Sequence, residues 1–182
     1  MVPPCVLPRA SATLVVEFFC LAFISMSCGD PVRDDGVAAL GPETPGVPRG
    51  SEHRPGQPCL LCHSDDGQSR PFSVAGTVYL DAASQKPADN VAVQIIDAQR
   101  TVFTAITNCV GNFYVQPSQF SPTYPIWVTM RAGNVQRDMD SPSYREGSCA
   151  ACHTDPRGPT SAGHVYLIDD PAVETAPPSR CN

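Results

Sequence analysis

The chain predicts a mainly β protein, a small antiparallel sandwich flanked by two cysteine-bearing loops. Three observations point there. Between Phe72 and about Arg131, short runs alternate apolar and polar residues and are divided by turn residues, with no sustained 3.6-residue period. The pentapeptide Cys59-Leu60-Leu61-Cys62-His63 recurs as Cys149-Ala150-Ala151-Cys152-His153, bracketing that segment. Finally, similar text follows both copies: Ala75-Gly76-Thr77-Val78-Tyr79-Leu80 is echoed by Ala162-Gly163-His164-Val165-Tyr166-Leu167, a weak repeat of loop followed by strand.

Taken in order, Ser73 to Leu80 is β-rich, and Val91 to Asp97 alternates at Val91, Val93 and Ile95. Thr101 to Thr107 alternates as well. Gly111 can take positive φ and so reverse the chain before Phe113 and Val115 enter the core. Pro125 to Met130 reads as a further strand, and the repeat places the last one after the second pentapeptide. Such spacing of short strands argues an antiparallel sandwich, with Val93, Ile95, Phe103 and Trp127 expected inside. If its first and last strands are each fed by a cysteine loop, both loops are expected at one end of the sandwich.

These residues resemble the carboxypeptidase regulatory-like domain, a small transthyretin-like β-sandwich. The resemblance rests on Ala75-Gly76-Thr77-Val78, on Pro87 with Val91-Ala92-Val93-Gln94-Ile95, and on Thr107-Asn108-Cys109-Val110-Gly111-Asn112-Phe113, which is similar to the family's Asn/Asp-x-x-Gly-x-Phe turn. It covers about 60 residues and implies an Ig/transthyretin-like fold and no peptidase, since that domain is an accessory unit. A core of that size is marginal unless something further packs on it.

The repeated Cys-x-x-Cys-His is the attachment signature of covalent haem. Two thiols three residues apart can add to the two vinyl groups of one porphyrin while the next imidazole is held beneath the iron. With nine cysteines and four histidines in the chain, chance supplies roughly 0.01 such pentapeptides. The expected cofactors are two covalently bound haem c, joined by thioethers at Cys59, Cys62, Cys149 and Cys152, with His63 and His153 as proximal ligands. The competing readings are a four-sulfur zinc site and redox disulfides, neither of which needs the histidine. His53 and His164 are the remaining histidines and the candidate distal ligands, with Met139 as the alternative; Met130 is assigned to the core.

Residues 1–27 read as an export signal, with Arg9 near the start and an apolar run from Leu14 to Met26, too short for a comfortable membrane span. Ser25-Met26-Ser27-Cys28 resembles a bacterial lipobox, which implies lipidation of Cys28, although Ser25 stands where Leu is usual. Bacterial haem attachment takes place outside the cytoplasmic membrane, so signal and pentapeptides agree on compartment. Residues 28–55 read as a flexible linker, 56–71 as the first haem loop, 72–132 as the sandwich, 133–169 as the second haem loop and closing strand, and 170–182 as a loose tail. Cys5 and Cys20 fall in the signal, and Cys109 and Cys181 are left over, as a disulfide or as two free thiols.

The formal charge of −6 argues against a nucleic-acid partner. With the histidines assigned as iron ligands, no imidazole is left for acid-base catalysis. The expectation is a non-enzymatic dihaem c-type cytochrome, periplasmic or outer-membrane-anchored, touching the membrane only through its lipid and exchanging single electrons with redox proteins of the envelope. It resembles c-type cytochromes in the two attachment motifs alone, and the helical monohaem fold does not carry over. The alternative is a binding or sensory module whose haems are structural or bind a small ligand.

Overall fold

The computed structural model describes residues 30–182 apart from positions 44, 48, 66, 68, 170, 172, 173, 176, 177 and 182. The signal and Cys28 therefore lie outside the described residues. Those residues fall into two units, meeting between Ala38 and Ala39. The first carries a helix, α1 (Pro31–Ala39), where a tether without secondary structure was expected. Its start is built locally: the Asp30 carboxylate accepts the Val32 and Arg33 amides at 3.0 and 3.2 Å, and Pro31 takes the first helical position, where its missing N–H costs nothing. Among the described residues, no helix is long and apolar enough to cross a membrane.

The second unit is mainly β. Its strands are β1 (Val74–Thr77), β2 (Tyr79–Asp81), β3 (Ala92–Ile96), β4 (Val102–Ile106), β5 (Asn112–Val115), β6 (Trp127–Ala132), β7 (Val135–Asp138) and β8 (Tyr166–Ile168). Four of them form an antiparallel sheet in the order β4-β3-β6-β7; β1 pairs antiparallel with β5, and β2 pairs with β8. Side chains from all three sheets meet in one core, with Val74, Val93, Ile95, Val115, Ile126 and Leu167 nearly inaccessible to solvent. Gly111 takes φ +80°, and a Cβ there would run into the Val78 carbonyl, so the reversal into β5 depends on its being glycine.

Several expectations need correction. The β2–β8 pair is parallel, because the two repeat copies lie side by side in one direction with equivalent residues opposed, Tyr79 against Tyr166. The run from Ser73 to Leu80 is two strands: at Val78 the chain changes partners, its N–H donating to Gly111 and its carbonyl accepting from Ala88. Trp127 is 40% exposed, since Ile126 and Met130 are on the buried face of β6 and period two sends Trp127 to the other. The sheet also continues past residue 132 into β7 through a Gly133-Asn134 hairpin turn, with Gly133 at φ +58°. Val135-Gln136-Arg137-Asp138 carries one apolar residue, so alternation is a faint signal there.

Both ends of this unit are tied down where looseness was expected. Cys109 and Cys181 form a disulfide, and the Arg180 amide donates to Asp89 Oδ2 at 2.7 Å, so the tail returns to the turn before β5. At the other end, Ser51 and His53 carbonyls accept side-chain hydrogen bonds from that same turn.

The register makes a simple prediction. Ile95→Ala should cost about 2–5 kcal/mol in urea unfolding, as a deep-core truncation, whereas Trp127→Ala should cost under about 1 kcal/mol. Equal losses would mean that β6 presents its other face.

Candidate functional site

Each Cys-x-x-Cys-His begins on a single 3-10 turn, Cys59–Leu61 and Cys149–Ala151. The second cysteine of each pair, Cys62 or Cys152, caps the end of its turn, three residues after the first. The two copies share one hydrogen-bond pattern. The Cys59 carbonyl accepts the amides of Cys62 and His63 at 3.2 and 2.9 Å, and the Cys149 carbonyl accepts those of Cys152 and His153 at 3.1 and 2.9 Å.

The rings repeat the match. His63 Nδ1 lies 2.7 Å from the Arg70 carbonyl, and His153 Nδ1 lies 3.0 Å from the Gly163 carbonyl. A carbonyl can only accept, so each Nδ1 is the donor, and in the neutral imidazole that leaves the lone pair on Nε2. Outer partners of this kind fix the tautomer and ring plane of metal-bound histidines and raise their basicity. His63 is held further by a ladder of near-parallel rings, Phe72 at 4.1 Å and Tyr114 at 4.7 Å beyond it.

Both turns pack on strand β1. The second comes closest at Gly76, where a Cβ would lie 2.7 Å from Cys149 Sγ and 3.0 Å from the Phe113 ring. The Ala75 amide donates to the Gly147 carbonyl at 2.9 Å, fixing the entry to that turn. All four motif thiols are free of disulfides. Burial pushes Cys59 up to about 11; Cys149 is pushed up to about 12 by burial and then by the neighbouring Cys59. Both are therefore neutral thiols at pH 7, unlike the depressed thiolates of redox Cys-x-x-Cys sites. Among the described residues, no three His, Cys, Asp or Glu side chains converge as a closed metal cage requires. Disulfide-free cysteine pairs three residues apart, each followed by an imidazole bonded through Nδ1 to a carbonyl, fit a covalently attached haem at each motif; Cys149 packs against the core, while Cys152 is exposed.

The candidate distal residues are placed very differently. His53 lies beside the first motif, its ring centroid 5.8 Å from that of His63 and the two planes 19° from parallel. The Gly50 amide donates to His53 Nδ1 at 3.4 Å, a long bond, so His53 would have to give up an Nε2 proton to ligate through that nitrogen. His164 has both nitrogens engaged instead: Nδ1 with the Asp155 carboxylate at 2.8 Å and Nε2 with the Asp81 carbonyl at 2.9 Å. As placed, it ties the loop after the second motif to β2 and offers no nitrogen to an iron. Met139 follows β7, its amide donating to Val128 at 2.9 Å, while Met130 is in the core.

No known protein family matches this chain, and neither do any curated protein or solved structure.

Sequence reasoning missed what holds the site. Arg70 and Phe72 hold His63, Gly163 holds His153, and Thr77, Asn108 and Asn112 hold the segment before the first motif, yet each looks like ordinary strand or turn text. Only the Asn-x-x-Gly-Asn turn was legible, and as a turn rather than a brace.

His164 gives the second loop a pH dependence. Burial opposes its charged form, but the Asp81 carbonyl and the Asp155 carboxylate outweigh it and raise the pKa above 6.5. The hydrogen bond from His164, against a smaller effect of burial, holds Asp155 below 3.8. The His contribution is complete below pH 6.5 and is lost as pH rises through the raised value; the Asp contribution is lost as pH falls through the lowered one. His164→Ala should therefore cost on the order of 1 kcal/mol near pH 6, reduced by solvent at the exposed carboxylate, and less at pH 9. Urea unfolding at both pH values checks it; an equal cost at both would mean that the ion pair contributes nothing.

Proposed function

We propose that this chain is an exported dihaem c-type cytochrome that carries single electrons between redox proteins of the cell envelope, built on a transthyretin-like sandwich. The observation that carries the reading is the twofold occurrence of one geometry: a 3-10 turn that opens each Cys-x-x-Cys, followed by an imidazole whose Nδ1 is bonded to a backbone carbonyl. A zinc cage would need no such tautomer control on a residue outside its four sulfurs.

In this reading Cys59, Cys62, Cys149 and Cys152 hold two porphyrins as thioethers, and His63 and His153 present Nε2 to the irons. Bound haem supplies reversible one-electron iron chemistry. The protein's part is to hold and tune. The Arg70 and Gly163 carbonyls draw on the Nδ1 protons and make each imidazole a stronger donor, which favours the oxidised iron and lowers the potential. Phe72 and Tyr114 keep the His63 ring from turning. His53 is the residue nearest to hand for the sixth position at the first motif. Residues 1–27 direct export, Cys28 carries the lipid, and the segment up to about Gly50 spaces the domain from the membrane.

One observation favours a second reading. With both His164 nitrogens committed, an iron held by His153 would not find a second ligand in that histidine as placed. An open position there binds small ligands, which is the behaviour of a sensory or binding module.

The test is expression of the full chain in a host that matures haem c. Haem content by alkaline pyridine should be two per chain, with a reduced-minus-oxidised spectrum of c type. Carbon monoxide should leave the spectrum unchanged for a pure electron carrier. Binding of one equivalent would support the sensory reading, and no haem at all would remove both.

A further inference from the structure

The segment before the first motif should wander on composition alone: Ser51-Glu52-His53-Arg54-Pro55-Gly56-Gln57-Pro58 has almost no apolar anchor. It is instead held by a polar network anchored on the buried side chains of Thr77 and Asn112. Asn108 Nδ2 donates to the Ser51 carbonyl at 2.7 Å, and Asn112 Nδ2 donates to the same carbonyl at 3.3 Å and to that of His53 at 3.1 Å. The Thr77 hydroxyl donates to Asn112 Oδ1 at 2.6 Å and accepts the Gly56 amide at 2.8 Å. Asn108 Oδ1 closes the turn by accepting the amides of Val110 and Asn112 at 3.1 and 2.9 Å. Thr77 and Asn112 are only 6% and 7% exposed, so the bond between them is made away from competing water, while the bonds to the segment are partly buried and the one from Asn108 is exposed.

The placement of these bonds is what matters. They grip the chain at Ser51, His53 and Gly56, on either side of and at the residue whose ring lies beside His63. Thr77 belongs to β1, the strand on which the first 3-10 turn also packs. One strand therefore sets both the turn carrying the proximal imidazole and the segment carrying the candidate distal one. Ordering a free backbone costs conformational entropy, and a segment fixed in advance does not lose that entropy again when its imidazole binds.

We propose that Thr77 and Asn112 are positioning residues for His53, holding its imidazole at the sixth coordination site of the iron bound by His63. This rests on the dihaem reading above and adds to it which residues decide the ligation state of the first haem. Removing the Thr77 hydroxyl loses two hydrogen bonds at once. The far-side imidazole then spends more time off the iron.

The experiment uses the full haem-loaded chain with His53→Ala, Thr77→Val, Thr77→Ser and Asn112→Asp, the last guarding against misfolding of the valine variant. Haem content, the reduced spectrum with and without carbon monoxide, and the reduction potentials are read for each. His53→Ala should retain two haems and convert one to a high-spin form that binds carbon monoxide. Thr77→Val should speed carbon monoxide binding at that same haem about tenfold and raise its potential, as two lost hydrogen bonds imply. Thr77→Ser should stay within about twofold of the parent because the hydroxyl is kept. Asn112→Asp, which loses both donors to the segment, should follow the valine variant.

Thr77→Val with the parent's spectrum and carbon monoxide kinetics, even if less stable, would overturn the positioning role. Two haems with a parental spectrum in His53→Ala would overturn it too, while leaving the dihaem reading standing. Absence of haem from the parent would take away that reading itself.

Discussion

Strand β1 is four residues long, and the rest of the domain is arranged around it. Its backbone pairs with β5 along one edge and meets Gly147 and Ser148 along the other. Gly76 leaves room for the Cys149 side chain, and Thr77 holds the segment that precedes Cys59. Two cysteine motifs separated by a whole domain in sequence are thereby brought to one strand. The constraint is steric as much as polar: with a side chain at position 76, Cys149 could not come in to the core, and the second turn would have to be displaced.

The repeat gains a physical meaning from this arrangement. Equivalent strands β2 and β8 lie parallel with equivalent residues opposed, so each copy of loop and strand docks against the other. At the equivalent positions Thr77 and His164, both side chains work as clamps, one on the segment before its motif and the other on the loop after it. The surroundings of the two motifs differ: beside the first stands His53, while near the second the imidazole of His164 is engaged by Asp155 and Asp81. In the proposed reading, the two motifs would then offer different ligand sets, and ligation is a principal control on haem potential.

Much of this was legible in the chain. The alternation of Val91, Val93 and Ile95, the positive-φ glycine at 111, and the strand after the second pentapeptide all stand as the pattern of residues implied. The burial of Trp127 did not follow, because size says nothing about which face of a strand a residue takes; only the register of β6 against β3 decides that. β7 was hidden by its polarity, since one of its neighbours in the sheet is solvent. The docking of residues 51–57 was illegible for a different reason: it is made by backbone carbonyls, which every residue has, meeting asparagines that read as turn formers. Likewise, the count of histidines suggested a ligand pair for each iron, and no count could reveal that Asp155 lies within reach of His164.

The account stands on four sulfurs and two porphyrins. Peptide mass spectrometry of the mature, exported chain tests that most directly, by weighing separately the fragments that contain Cys59–His63 and Cys149–His153. Each should carry the added mass of one haem, with both cysteines resistant to alkylation. Fragments with unmodified or disulfide-bonded cysteines, or a native chain holding zinc in their place, would contradict it.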